Sequence, residues 1–366
     1  MILPILCLPV VSFVLAWCAT WVIRRVAPRV GFVDKPGGRK IHANPKPLGG
    51  GVAIFTGIVI PMLAVLALLH TASFGEGNGR WNPAYISGAR EHTPLALGLL
   101  AAMFAMLLLG LRDDRKAMGP YSKMVIQLAV IAAFVIAFNV RALTALDQLG
   151  LGRWPSVLVS VLWIGAITNA FNFLDNMDGL SAGVAAVCTA AFLVAALSIQ
   201  QWFVAAALAM LLGALLGFLC FNFAPATIFM GDSGSLLIGL MLGVLTVRTT
   251  YLPQETPWAS GWYAVFAPVI VLAVPLYDLI VVSALRLMRG KSPFVGDTNH
   301  FSHRLVARGM SRRTAVLCLY LITASTSVAA ILLPHVNPAF APLIFVQTVL
   351  ILGVVALLEQ HPLPTS

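Results

Sequence analysis

The run SVLVSVLWIGAIT, residues 156–168, belongs to one of eleven stretches in which the chain passes through about twenty residues with almost no charge. A helix needs roughly 17–25 such residues to cross the hydrocarbon of a bilayer, and the ten-residue alternation of a membrane β-barrel is absent. The stretches lie at 2–23, 50–70, 95–111, 123–138, 156–174, 179–198, 201–221, 234–247, 262–286, 315–333 and 339–358. Some are short, 234–247 above all, so ten or eleven crossings are expected. Charged residues make up 10% of the 366-residue chain, against roughly 25% in soluble domains. The expectation is an all-α integral membrane protein, one polytopic domain over residues 1–366 with no separate soluble part.

Orientation follows from charge. MILPIL carries no basic residue, and Arg24 and Arg25 follow the first run, so this is not a cleaved leader but a span with its N-terminus outside. With eleven spans, eighteen Lys and Arg then fall in cytoplasmic loops, and Arg80, Arg90, Arg141, Arg153 and Arg248 fall outside. The net charge of +10 is thus a property of the cytoplasmic face, suited to anionic headgroups or substrates and giving no reason to invoke nucleic acid. Five cysteines in apolar spans, without CxxC spacing, read as packing residues. WNPAYISG and LPQETPW in two outer loops read as surface turns at the membrane interface.

Five polar motifs gather on the basic side, in loops 24–49, 112–122, 172–178, 222–235 and 287–314. GLRDDRK, from Gly110, ends the third span with Asp113 and Asp114. Adjacent carboxylates on a helix diverge unless the helix ends there, which Gly119 and Pro120 suggest. A plain charged anchor is the competing reading. In NAFNFLDNMDGL, Asn169, Asn172 and Asn176 recur with Asp175 and Asp178 at helical spacing, a stripe that must face protein or water. Amides bonding neighbouring helices explain the asparagines but not the two carboxylates. IFMGDSGSLLIG places Asp232 between glycines in a turn that opens the eighth span, with backbone N–H groups for a phosphate. Ordinary turn chemistry gives the same pattern. GDTNHFSHRL supplies His300, His303 and Arg304, a grip for phosphate oxygens and a poor zinc site without cysteine or the metalloprotease spacing. GFVDKPGGRKIHANPKPLGGG is a charged loop that reads equally as a linker. Asp278 lies inside a span, towards the same end. Carboxylates with an amide oxygen suit Mg²⁺, and cations beside them suit a diphosphate, so phosphoryl transfer at a membrane surface is the reaction class these parts fit.

These motifs, with DKPGGRKIH from residue 34 and FNFAPATIFMGDSGS, resemble the polyprenyl-phosphate N-acetylhexosamine-1-phosphate transferases of glycosyltransferase family 4, in order and on alternate loops up to about residue 310. The resemblance implies a multi-pass protein of the bacterial inner membrane, with its site on the cytoplasmic face. It would move sugar 1-phosphate from a UDP-N-acetylhexosamine, N-acetylglucosamine foremost, to undecaprenyl phosphate and release UMP. It implies Mg²⁺, with Mn²⁺ as a substitute, and leaves a homodimer possible. Carried over by motif, Asp232 and Asn172 hold the metal, and Asp113 and Asp114 form the catalytic pair. Asp175, Asp178, Asn222 and Phe229 hold the uridine, and His300, His303 and Arg304 meet sugar or diphosphate. HFSHRL departs from the family pattern at Ser302, where a histidine is usual, which argues against the muramoyl-pentapeptide transferase of peptidoglycan synthesis as the alternative. Direct attack by the lipid phosphate and a phospho-aspartyl route both stay open. An anionic-solute transporter is the remote alternative. It would need carboxylates across the midplane, whereas these cluster on one side, and the chain has no internal repeat.

Overall fold

The computed structural model describes residues 2–34, 45–71, 83–249, 262–292 and 300–360. Every one of the eleven apolar stretches is helical, as follows when backbone groups must be satisfied within each segment. In chain order the helices are α1 (Ile2–Val26), α2 (Gly50–Leu69), α3 (Pro83–Glu91), α4 (Thr93–Arg115), α5 (Pro120–Phe138), α6 (Trp154–Leu174), α7 (Leu180–Ser198) and α8 (Trp202–Asn222). There follow α9 (Asp232–Arg248), α10 (Ala267–Val271), α11 (Ala273–Met288), α12 (Phe301–Ala307), α13 (Arg312–Leu332) and α14 (Ala341–Gln360). Among the described residues nine helices are long and apolar enough to cross a membrane, or ten if the pair 263–271 and 273–288, bent by 71°, counts as one. The expected span 234–247 lies in the 17-residue α9, at the lower end of what a crossing needs. The stretch at 81–88 corrects the expected surface turn, because from Pro83 it forms α3. LPQETPW lies outside the described residues.

Helix α9 is the axis of the bundle. It is apolar on all sides and buried from Ser233 to Thr246, packed by α2, α4, α6 and α7. Without a hydrophobic force between helices in lipid, close packing of small residues holds such a bundle together. Gly239 and Gly243 bring α9 against the backbone of α6 at Thr168 and Ile164, and Gly213 and Gly217 bring α8 against α1 at Pro9 and Phe13. The outermost helices present Leu343, Val346, Val349 and Leu350 of α14 and Val10 and Val14 of α1 outwards, where lipid would meet them. Cys7, Cys18 and Cys220 also face outwards, and of the five free cysteines Cys188 is the buried one, which corrects the expectation that all five pack.

The N-terminal turn of α9 is held hardest. A Cβ on Gly110 of α4 would overlap the backbone of Asp232 and Ser233, and one on Gly51 of α2 would overlap Ser233 and Gly234. Gly110→Val is therefore expected to cost about 1–3 kcal/mol by overpacking. A displacement of Asp232 by about an ångström would reduce turnover roughly a hundredfold. Turnover and thermal unfolding of the purified variant check this; full activity would mean that the turn tolerates displacement.

Candidate active site

Backbone pairing first brings two distant loops together. Strand β1 (Val33–Asp34) pairs antiparallel with β2 (Lys46–Pro47). The chain after β2 then zips onto the segment before α9. Phe229 N–H donates to Pro47 O (2.9 Å), Gly50 N–H to Phe229 O (3.1 Å), Gly51 N–H to Met230 O (3.2 Å), and Lys46 Nζ to Ala226 O (2.6 Å). Of the stretch 31–51, which reads from the sequence equally as a linker, the described residues at its two ends thus form one wall of a site.

That wall closes a cavity of about 570 Å³ at one end of the bundle, lined by Asp34, Asp113, Asp114, Asp175, Asp178 and Asp232. Lys46, Arg312 and the imidazole of His303 also line it, with Asn222 and Phe229. Of the eleven residues singled out from the sequence, eight line the cavity. Asn172 stands directly behind Asp232, whereas His300 and Arg304 turn elsewhere.

The carboxylates do different work. Asp114 accepts from the backbone N–H of Asp232 (2.7 Å) and of Ser233 (3.2 Å). It caps α9 from another helix, satisfying donors that a helix start leaves unpaired. Gly234 and Ser235 N–H groups go to Gly231 O, at 3.1 Å each. The expectation that these N–H groups await a phosphate is thereby corrected: the protein's own acceptors hold them. Asp113, one residue away, points to Lys123 (3.1 Å) and to Met118 N–H. The pair diverges as the spacing required, because α4 continues to Arg115.

Lys123 also pairs with Asp232, so one ammonium joins two carboxylates from α4 and α9. From the sequence alone Lys123, at the start of the apolar run 123–138, reads as one of the basic residues of the cytoplasmic side. The overlooked signal is Gly119–Pro120, which starts α5 at Pro120 and sets Lys123 on its first turn, facing back. Asp232 Oδ1 accepts from Asn172 Nδ2 (2.7 Å), which also donates to Ser235 Oγ (2.9 Å). With its nitrogen so engaged, Asn172 holds Asp232 in place. For a divalent ion the donor set is hard oxygen, and Asp113 and Asp232 already converge on one cationic atom. No group of three metal-ligating side chains exists among the described residues. Mg²⁺ needs one or two carboxylates when substrate phosphates complete its shell, so the residues fit it.

The stretch after Asn172 departs from the expected stripe. Helix α6 stops at Leu174, Asn176 Nδ2 bonds back to Phe173 O (2.8 Å), and Gly179 at φ 76° starts α7. Asp178 accepts from Ala226 N–H (2.9 Å). Asn222 accepts from Gly179 N–H (3.1 Å) and donates to Ile228 O (3.0 Å). Both line the cavity while stitching its rim. Burial pushes the Asp175 carboxyl well up, assisted by the charges of Asp232, Asp114 and Asp178. A carboxyl raised in the folded state stabilises it below the usual carboxylate range and loses that contribution as pH rises. Asp175→Asn is therefore expected to raise the unfolding temperature at neutral pH, with the gap closing towards about pH 4. A gap that stays constant in thermal scans across pH would place the cause elsewhere.

In the histidine segment, Gly296 to Asn299 lie outside the described residues. Asp278, fully buried, accepts from Phe301 N–H (2.8 Å) and meets His300 Nδ1 at 2.9 Å, drawing His300 out of the cavity lining. His303 does face the cavity; burial lowers its pKa, with His300 and Arg312 adding to the effect. Ser302 donates to Asn176 Oδ1 (2.5 Å), tying α12 to the loop after α6. Arg304 is placed against Glu359 of the last helix at 2.8 Å, and Arg308 donates to the backbone oxygen of Glu359. In this structure Arg304 thus ties α12 to α14. Arg304→Gln and Glu359→Gln should each reduce turnover about tenfold or less, and the double variant should be no worse than either single one, as coupling requires. Additive losses in turnover would return Arg304 to the substrate.

Comparison with known proteins gives the chain's family. A model of glycosyl transferase family 4 matches residues 96–250, which hold the Asp113, Asp175 and Asp232 segments. "Probable undecaprenyl-phosphate N-acetylglucosaminyl 1-phosphate transferase" of Bacillus subtilis is 32% identical over 330 residues, 88% of this chain and 83% of that one. "Decaprenyl-phosphate N-acetylglucosaminephosphotransferase" of Mycobacterium tuberculosis is 30% identical over 363 residues, covering 94% and 86%. "Undecaprenyl-phosphate alpha-N-acetylglucosaminyl 1-phosphate transferase" of Escherichia coli is 28% identical over 318 residues, covering 82% and 76%. The shared length runs through every helix that builds the aspartate cavity, and this chain belongs to glycosyl transferase family 4.

Proposed function

We propose that the protein transfers N-acetylglucosamine 1-phosphate from UDP-N-acetylglucosamine to a polyprenyl phosphate, releasing UMP. The observation that carries the reading is the single cavity in which six aspartates from four segments meet Lys46, His303 and Arg312. The names of the relatives support the transferred group and the acceptor class. The cavity faces the cytoplasm of a bacterial inner membrane in this reading, with eleven spans and the N-terminus outside, which places most basic loops on the same side.

An oxygen of the lipid phosphate attacks the sugar-bearing phosphorus of the donor. The bond from that phosphorus to the bridging oxygen breaks, and UMP leaves with the electron pair. A phosphate monoester has a second pKa of about 6, so the nucleophile arrives mostly dianionic and needs no strong base. Asp113 orients it from the end of α4, and Asp114 holds the turn that presents Asp232. Asp232, with Asp113 beside it, would hold Mg²⁺, which supplies charge neutralisation on the diphosphate oxygens. Lys123 keeps the two carboxylates from repelling each other, and His303 and Arg312 meet the donor's phosphates. Asp175, Asp178, Asn222 and Phe229 form the uridine end, with Phe229 as the stacking surface.

The test is UMP release by the purified protein with undecaprenyl phosphate and Mg²⁺, comparing UDP-N-acetylglucosamine, UDP-N-acetylgalactosamine and UDP-N-acetylmuramoyl-pentapeptide. Release with UDP-N-acetylglucosamine is expected. Release with the pentapeptide donor alone would make this the peptidoglycan enzyme, and silence with all three would overturn the donor class. Lipid-independent exchange of UMP with the UDP-sugar would replace direct attack by a covalent route.

A further inference from the structure

We propose that the opposite end of the bundle carries a second site, which binds an anionic phospholipid by one acyl chain and its phosphate. The aspartate cavity is built from the C-terminal ends of α4 and α8 and the N-terminus of α9. A separate cavity of about 530 Å³ is lined at the other ends of these helices by Ala96 of α4, Trp202 and Ala206 of α8 and Arg248 of α9, with Met62 and Leu66 of α2. Its volume lies within the roughly 300–1,000 Å³ of small-molecule sites, and an apolar wall with a few polar groups is their usual composition.

The charge in this cavity selects the ligand. Each other described cation at this end has a partner: Arg90 Nε donates to Leu69 O (2.6 Å), Arg141 pairs with Asp147, and Arg153 lies over the Trp154 ring. Arg248 differs, since its Nε is buried with no hydrogen-bond partner among the described residues. A guanidinium at the end of a buried membrane helix is costly to keep there without an anion. A phosphate diester bearing hydrocarbon chains matches both the orphaned donor and the apolar wall. The bilayer supplies it at the right depth, because Leu6, Leu63 and Leu68, neighbours in sequence of cavity residues on α1 and α2, are exposed on the outer surface. The site is independent of the transfer reaction proposed above.

Trp202 on the cavity wall reports occupancy. The full chain is reconstituted in nanodiscs in which either phosphatidylglycerol or phosphatidylcholine, at equal mole fraction, carries dibrominated chains. The Trp202 component is isolated by difference from Trp202→Phe. Brominated phosphatidylglycerol is expected to reach Trp202 with about fivefold preference, the ratio one basic side chain gives an anionic headgroup, and Arg248→Gln should remove that preference. Ala206→Phe, which fills the cavity without touching the charge, should reduce quenching by both lipids. Equal quenching of the parent chain by the two lipids would overturn the proposal, as would a preference that survives Arg248→Gln. Should Arg248→Gln not fold, the parent comparison and Ala206→Phe decide by themselves: undiminished quenching of Ala206→Phe would reduce the cavity to ordinary boundary lipid.

Discussion

Asp232→Asn is expected to lower UMP release by about 10²–10³-fold, the scale of losing one preorganised electrostatic group, while the protein stays folded in the membrane. The substitution keeps volume and shape. Asn172 can still donate to the remaining carbonyl oxygen, Asp114 still caps the N–H groups of residues 232 and 233, and Lys123 keeps Asp113 as a partner. What disappears is the negative charge at the mouth of α9, and with it the proposed grip on Mg²⁺. Unchanged melting beside lost turnover, with the Mg²⁺ requirement shifted upwards, supports the assignment. An active Asp232→Asn enzyme would remove Asp232 from the metal altogether.

Lys123→Met should lower turnover on a similar scale, by about 10²-fold or more, but with a different signature. Removing one partner of a half-buried charge cluster leaves the others uncompensated, at a cost of about 3–5 kcal/mol for a fully buried pair. The side chains of Lys123 and Asp113 are each 14% exposed and that of Asp232 is 28% exposed, so solvent screening should bring the cost below that range. This variant should therefore lose both activity and stability, whereas Asp232→Asn loses activity alone. Lys123→Arg, which restores the charge with a longer reach, should recover stability before activity. Thermal unfolding and turnover measured on the same preparations separate the two effects. Intact melting of Lys123→Met would show that the carboxylates do not depend on the ammonium.

Much of this molecule was legible in the sequence because the forces involved are local. A long apolar run must be helical in lipid, and all eleven runs are built of helix, the one at 262–286 being broken at Leu272. The DD, NAFNFLDNMDGL and GDSGS motifs were recognisable as polar segments that apolar helices had no reason to carry. Family membership followed from those motifs and is borne out by the relatives. Where local periodicity was extended too far, it failed: the stripe through Asn176 and Asp178 assumed a continuing helix. An asparagine bonding its own backbone and a glycine at positive φ end that helix at Leu174.

Partner choice was not legible, because hydrogen bonds join residues far apart in the chain through an arrangement that packing alone sets. Asp114 and Asp232 are 118 positions apart, Lys123 and Asp232 109, and Ser302 and Asn176 126. The sequence by itself determined a helical membrane protein with its carboxylates collected at one end, since hydropathy and charge act segment by segment. Only the tertiary structure decided that Asp114 caps a helix, that Lys123 joins two carboxylates, that Arg304 turns to Glu359, and that Arg248 lines a cavity with its Nε unpartnered among the described residues. Each depends on which buried donor finds which acceptor once the helices are packed, and no local pattern encodes that match.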